Sequence, residues 1–481
     1  MTKLDDLLAY EVVEGLTEGQ FTAEEYVISI LKRIEEVEPK VHSFITLDTE
    51  GALSSAKIID KKIREKEDIG QLAGVTVGIK DNISTQGIRT TCASKILENY
   101  VPTYDATVIR NLKENGAILL GKLNLDEFGM GSTTEYSRYH PTHNPWNLDY
   151  VPGGSSGGSG AAVAAGECTV ALGSDTGGSI RCPSSFCSVV GLKPTYGRVS
   201  RSGLISYANS LEQIGPICRS VKDLIMMLNI ISGKDAMDNT SIPSSPITVP
   251  NKSKKLNVAV IKELVTGSDQ EVAKSVFSAS EKFQEIGFSC EEVSIKNLHY
   301  ALPSYYTLAS AEASSNLARY DNIRYGFDYP IGEYNWDTYF SNVRENFGEE
   351  VKRRILIGSY VLSSGYYGKY YLKARRLRSL LRLELLTLFK KYDLLIGPTM
   401  PILPFKFGEK IDDPIKMYLV DVNTVIANLA GIPAISLPIG FSNGLPIGLQ
   451  IMAAPFEEQK LIDASYELEK VIHIQRRPNS I

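Results

Sequence analysis

The stretch VPGGSSGGSGAAVAAG at residues 151–166 puts five glycines and three serines into its first ten positions and then turns into an alanine run. A second cluster, GSDTGGSIRCPSS at 173–185, sets another serine among small residues. Serine framed by glycine serves a flexible linker, a phosphate cradle or a nucleophile. A linker is not followed directly by AAVAAG, nor flanked by strand patterns. A phosphate cradle needs GxxxxGK[ST], or GxGxxG between strand and helix with an acid downstream. Neither occurs, and the chain contains no Gly-Lys-Ser or Gly-Lys-Thr. A nucleophile remains. The glycines let the backbone approach a substrate and turn its N–H groups toward one point. Thr176, Gly177, Gly178 and Ser179 then offer consecutive amides to a developing oxyanion.

A nucleophilic serine needs a base. Of the five histidines, only His140 and His143, in the proline-broken RYHPTHNPW, lie near anything suggestive. A Ser-His-Asp triad assembled through space stays open but has no local support, and a metal at these two lacks a third ligand. Lysine is the other candidate, provided burial lowers its pKa enough to leave it neutral near pH 7. GVTVGIKDN at 74–82 alternates Val75, Val77 and Ile79 like a strand and delivers Lys80 at its end.

Working outward, FTAEEYVISILKRIEEVEP (21–39) has Thr22 and Glu25 in capping-box spacing, apolar residues at helical period, and Pro39 as a stop. The strands expected next are AILLGK (117–122), CTVALGSD (168–175), LNVAVI (256–261) and SCEEVSI (289–295), then DLLIGP (393–398), PAISLPIG (433–440) and IGLQIMA (447–453). Helices are expected at 105–115 and 269–285, through most of 302–391, and at 457–471. The Pro- and Ser-rich segment 233–255 reads as a surface excursion. Strand and helix alternating at both ends of the chain give an α/β class, one domain over residues 1–481 with its sheet covered by helices on both faces. Within it we expect N-terminal helices over about 1–65, a core over about 66–232 and a helical insertion over about 301–391. A division into two domains near Ser232 is the alternative.

The 481 residues are 43% hydrophobic and 22% charged with net charge −5, a composition that buries a large core. The acidic balance argues against this chain alone clamping a phosphate backbone; a local basic patch stays open, and any nucleic acid is expected mainly on a partner. The start has no basic region ahead of an apolar run, and no stretch approaches the roughly 18 apolar residues of a membrane span. The six cysteines are scattered without a CxxC. Together these features give the expectation of a cytoplasmic protein with reduced thiols and no membrane association.

GVTVGIKDN, PGGSSGGSGAAVAAG (152–166), LGSDTGGSIRCPSSFCSVVGLKPTYGRVSR (172–201) and LEQIGP (211–216) together resemble the amidase signature family in motif, order and spacing. The resemblance implies a mixed central sheet and a Ser–cis-Ser–Lys triad. Ser179 would be the nucleophile, Ser155 the bridging serine after a cis peptide from Gly154, and Lys80 the base. It also implies an oxyanion site at Thr176, Gly177 and Gly178. Ser156, Ser159, Ser174 and Ser184 are expected to pack or cap, and Arg181 to brace the loop. Cys182 and Cys187 flank the site with no role assigned.

Further stretches resemble one branch of that family, the glutaminase subunits of tRNA-dependent amidotransferases. They are LDEFGMGSTTEYS (125–137), AEASSNLARYDNIRYG (311–326), VKRRILIGSYVLSSGYYGKYYLKA (351–374) and YLVDVNTVIANLAGIPAISLPIG (418–440). Gly368 departs from the acid common in that branch. The resemblance implies glutamine as substrate, its carboxylate on Arg354 and its ammonium on Asp421. Tyr305 or Tyr306 would add a hydroxyl, and Met130, Gly131 and Ser132 would line the pocket. It implies no cofactor in this chain, with ATP and Mg²⁺ in a partner B subunit that holds the misacylated tRNA, and a small C subunit completing a heterotrimer. A stand-alone amidase and a non-catalytic scaffold are the rival readings.

Overall fold

The apolar runs pair edge to edge. The computed structural model describes residues 3–250, 255–323, 332, 335–475, 477–479 and 481. Its strands are β1 (Phe44–Leu47), β2 (Thr76–Lys80), β3 (Ile118–Leu123), β4 (Val170–Asp175), β5 (Val190–Lys193) and β6 (Gln213–Cys218), followed by β7 (Asn257–Ile261), β8 (Ser289–Val293), β9 (Leu394–Pro398), β10 (Ala434–Ser442) and β11 (Leu445–Ala453). They form one sheet in the order β1-β3-β2-β4-β6-β5-β10-β11-β9-β7-β8. β2 runs parallel to β3 and β4, and β7 runs parallel to β8 and β9. Antiparallel pairs join these two patches through β4, β6, β5, β10, β11 and β9. The division near Ser232 does not hold, because β10, from the end of the chain, pairs with β5, from before that point.

Strands buried on both faces read as near-continuous apolar runs, and β2, β3 and β4 are buried at every position. Three strands were not expected from the sequence: β1, β5 and β6. β1 interrupts the N-terminal helical segment, leaving helices Ala9–Thr17, Ala23–Val41 and Thr49–Glu65. Met1 and Thr2 lie outside the described residues. Thr22 and Glu25 do form a reciprocal capping box, but Pro39 does not stop the helix, which runs to Val41 and ends on a left-handed His42. In the helical insertion the structure describes Ala301–Leu317, Trp336–Arg344, Glu349–Leu362 and Tyr371–Leu388. Residues 324–331, 333 and 334, which include the end of the quoted 311–326 stretch, and residues 251–254 of the surface excursion lie outside the described residues. No helix among the described residues is long and apolar enough to cross a membrane.

The glycine-serine stretch becomes the helix Gly157–Ala165, buried at every position. Small side chains let it sink against its neighbours. A Cβ on Gly158 would lie 2.6 Å from the Asn124 backbone N and O and from Ser43 O; one on Gly160 would lie 3.0 Å from the Pro183 carbonyl. Replacing Gly158 by alanine gains about 1 kcal/mol of helix propensity. The clash is with backbone that cannot move aside, so Gly158→Ala is expected to destabilise the chain by a net ~1–3 kcal/mol. A lower urea midpoint reads this out; an unchanged midpoint would show that the helix can withdraw.

Candidate active site

β2 ends at Lys80, whose side chain is fully buried. Its Nζ donates to Ser155 Oγ at 2.8 Å, to Ser156 Oγ at 2.8 Å and to the Ser174 carbonyl at 3.2 Å. No carboxylate among the described residues forms an ion pair with it. Burial therefore brings its pKa down to about 7, against the more distant charges of Asp126 and Asp175. Three donated bonds suit the ammonium form. A neutral amine has only two N–H groups and a lone pair, so on deprotonation one of the two hydroxyls turns its own proton toward Nζ. The site is thereby built to pass a proton between serine and lysine.

The Gly154–Ser155 peptide is cis. Asp126 holds the adjoining loop: its N–H donates to Ser155 O at 3.2 Å, and its carboxylate accepts from the Thr133 N–H at 3.3 Å and the Tyr136 N–H at 3.2 Å. A Cβ on Gly154 would collide with that carboxylate. Burial pushes Asp126 up to about 7. The Ser156 N–H donates to Ser179 O at 3.0 Å, which draws the two serine loops together. Ser179 is 7% exposed, where Ser155 is 1% and Lys80 is 0%, so it is the member of the three that a substrate can reach. Its hydroxyl makes no hydrogen bond among the described residues; the structure joins Lys80 directly to Ser155 and aligns Ser179 through the backbone. Ser156 does more than pack, since its hydroxyl accepts from Lys80; Ser174 offers only its backbone carbonyl there, and its hydroxyl accepts from Asn82. Ser159 and Ser184 bond only to backbone carbonyls.

The loop after β4 hangs on one buried ion pair. Arg181 Nε and Nη2 donate to the two carboxylate oxygens of Asp175 at 3.0 and 2.9 Å. The same guanidinium also donates to Thr424 O at 2.9 Å, Asn428 Oδ1 at 2.7 Å and Gln450 Oε1 at 2.5 Å. Burial alone would raise Asp175; the guanidinium outweighs it and holds the carboxyl at about 2. Asp175 also accepts from the amides of Gly178 (2.9 Å) and Ile180 (3.1 Å). That corrects the expected oxyanion set. The Gly178 amide is spent on Asp175, whereas the Thr176, Gly177 and Ser179 amides have no partner among the described residues. Gly178 has φ +140° and lies so close to Thr424 that a side chain would not fit.

The expected substrate residues converge. Ser132 Oγ and Tyr306 Oη each donate to Asp421 at 2.7 Å, one to each oxygen. Burial raises this carboxyl to about 6. Arg354 is buried among the rings of Tyr207, Tyr306 and Tyr418, with centroids 5.5, 5.1 and 5.5 Å away. Its Nε donates to Glu350 Oε1 at 2.7 Å and its Nη1 to Tyr207 Oη at 2.5 Å. Tyr305 packs onto Gly177, where any Cβ would meet its ring. The structure places Met130 (0% exposed) and Ser132 in the buried turn after Asp126; a Cβ on Gly131 would meet the Asp126 carboxylate and the Tyr136 ring.

The Amidase family profile matches residues 25–462 of this chain. The chain is a member of the amidase family. One curated relative is the A subunit of the glutamyl-tRNA(Gln) amidotransferase of Moorella thermoacetica, 51% identical over 476 residues and covering 98% of each chain. Among solved structures, the A subunit of the glutamyl-tRNA(Gln) amidotransferase of Thermotoga maritima superposes with a TM-score of 0.81 at 40% identity, over 98% of this chain and 96% of its own. The 6-aminohexanoate cyclic dimer hydrolase superposes with a TM-score of 0.87 at 27% identity, over 100% and 99%. The amidase frame thus spans the whole chain.

In this amidase, His140 and His143 pack beside His42 with ring centroids 5.4 and 5.8 Å from it, and neither ring bonds a serine of the site. Cys182 Sγ lies 3.6 Å from Ser132 O and Cys187 Sγ 3.3 Å from Pro152 O, both buried. Sequence reasoning did not single out Asp126, Tyr207, Glu350 or Tyr418. Asp126 and Glu350 sit in or beside quoted stretches, but nothing local distinguishes a buried carboxylate from the many solvated ones.

A base with pKa about 7 must be neutral to act. The amidase rate is therefore expected to fall about tenfold per pH unit below 7 and to level off above it. Lys80→Arg, whose guanidinium stays protonated at any working pH, is expected to abolish turnover across the whole profile. Residual pH-dependent activity in that variant would point to another base. Arg181→Met leaves Asp175 buried and unpaired and is expected to cost about 3–5 kcal/mol in a denaturant titration.

Proposed function

We propose that this amidase is the glutamine-hydrolysing subunit of a tRNA-dependent amidotransferase. The observation that carries the reading is the pairing, in one buried site, of the Lys80–Ser155 hydrogen bond with a guanidinium (Arg354) and a carboxylate (Asp421). A buried amine bonded to one serine hydroxyl, beside a second serine that a substrate can reach, suits the splitting of amides. A buried cation and anion beside it suit the two charged groups of a free amino acid. Names and near-full-length identity of the relatives point the same way.

In this reading, Ser179 Oγ attacks the side-chain amide carbon of glutamine. Its proton passes to Ser155 as the proton of Ser155 passes to neutral Lys80. The amides of Thr176, Gly177 and Ser179 receive the oxyanion. The C–N bond then breaks as the proton returns from Lys80 through Ser155 to the leaving nitrogen, giving ammonia and a glutamyl ester on Ser179. Water cleaves that ester to glutamate by the same relay. Arg354 holds the α-carboxylate and Asp421 the α-ammonium, with Tyr305, Tyr306 and the Met130–Gly131–Ser132 turn around them.

The ammonia goes to a B subunit, helped by a C subunit in a cytoplasmic heterotrimer. Using ATP and Mg²⁺, the B subunit converts Glu-tRNA(Gln) to Gln-tRNA(Gln), Asp-tRNA(Asn) to Asn-tRNA(Asn), or both. The misacylated tRNA is held mainly by that partner, in keeping with the net charge of −5 here. Ser179→Ala in the assembled complex is expected to abolish glutamine-dependent transamidation and to leave ammonia-dependent transamidation intact. Loss of both would make Ser179 structural. A wild-type chain whose amide hydrolysis ignores the B and C subunits would favour a stand-alone amidase.

A further inference from the structure

The glutaminase reading gives Arg354 the substrate carboxylate, yet two of its nitrogens are already engaged. A guanidinium has five N–H donors in a rigid plane. Glu350 Oε1 takes the single Nε donor at 2.7 Å, and Tyr207 Oη takes one of the two on Nη1. Nη2 has no hydrogen bond among the described residues. Three of the five donors are therefore left, one on Nη1 and two on Nη2, and these neighbouring nitrogens can grip a carboxylate with two parallel bonds. The plane is set from the opposite edge by Glu350, which stands one helical turn earlier in Glu349–Leu362 and is 2% exposed.

Charge fits the same role. Glu350 also pairs through Oε2 with Arg353, which is half-exposed. Two guanidiniums against one carboxylate leave a single positive charge. At the other end of the site, Asp421 supplies a single negative one. Glu350 is linked to it through aromatic side chains. Tyr418 Oη donates to Glu350 Oε1 at 3.0 Å, Tyr418 stacks on Tyr306 with centroids 3.9 Å apart, and Tyr306 Oη donates to Asp421. The two poles are thereby held at a fixed separation.

Resting on the glutaminase reading, we infer that Glu350 is a positioning residue that makes this site select substrates with a free α-carboxylate. It holds the Arg354 plane from behind, so that the Nη1–Nη2 edge meets the substrate, and it trims the local charge to match one carboxylate. It touches no reacting atom.

The test uses the full chain in its assembled complex, with glutamine as substrate and 4-aminobutanamide as competitor. The competitor keeps the amide and the ammonium and lacks only the carboxylate. Glu350→Ala is expected to raise KM for glutamine at least tenfold, with kcat within about threefold. The inhibition constant of 4-aminobutanamide should rise far less. Glu350→Asp, which restores the charge on a shorter arm, should recover part of the KM. An unfolded fraction lowers kcat without touching KM, so misfolding does not mimic this result. An unchanged KM, or equal weakening of glutamine and competitor, overturns the inference. A wild-type complex that does not hydrolyse glutamine at all overturns the glutaminase reading, and this inference falls with it.

Discussion

An amine that water does not reach and no carboxylate touches cannot keep its proton cheaply, and the active site is organised around that fact. Lys80 is surrounded by two hydroxyls and a carbonyl. Its fall from an ordinary value near 10.4 to about 7 corresponds to roughly 5 kcal/mol of preference for the neutral form. A carboxylate in direct contact would cancel that preference and leave an inert ion pair. The nearest charged neighbours, Asp126 and Asp175, are instead committed elsewhere. Asp126 takes two backbone amides, and Asp175 takes Arg181.

Arg181 is the contrasting case. It is as deeply buried as Lys80, but all three of its nitrogens are bonded and its carboxylate partner is held at about 2. One buried cation is compensated and serves as an anchor; the other has no carboxylate against it and is suited to act as a base. The anchor also determines which amides remain for a substrate. By drawing the Gly178 and Ile180 N–H groups to Asp175, it leaves those of Thr176, Gly177 and Ser179 unclaimed. Arg181 further ties this loop to Thr424, Asn428 and Gln450, far along the chain. The Ser179 loop and the turn that carries Asp421 are thereby fixed relative to one another.

The Arg354 side of the site belongs to a different part of the chain. The helices of the insertion pack on Phe128, Ile426 and Met452 to form a second apolar core, and Glu349–Leu362 presents Glu350 and Arg354 from it. Gly348, just before that helix, donates to Glu127 at 2.7 Å, next to the Asp126 that supports Ser155. Two consecutive acidic residues thus hold the Ser155 loop and the start of the Glu349–Leu362 helix.

Much of this was legible in the sequence. The glycines at 153, 154, 157, 158 and 160 marked close backbone approach, and the apolar alternation at 75–79 fixed a strand that delivers Lys80. The order of motifs fixed the family. These signals are local: a side chain too large for a gap, or a period of two, is written in neighbouring residues. What tertiary structure alone decided is pairing across hundreds of residues. That Lys80 bonds Ser156 as well as Ser155, that Gly178 is claimed by Asp175, and that Glu350 stands behind Arg354 all depend on which hydrogen-bond donors and acceptors burial brings together. β1, β5 and β6 were not read from the sequence; each takes its place in the sheet beside partners distant in the chain, β3, β10 and β4. The sequence by itself determined which groups can do the chemistry. Folding decided which cation is left without a carboxylate, and a buried amine with only hydroxyls and a carbonyl around it gives up its proton readily.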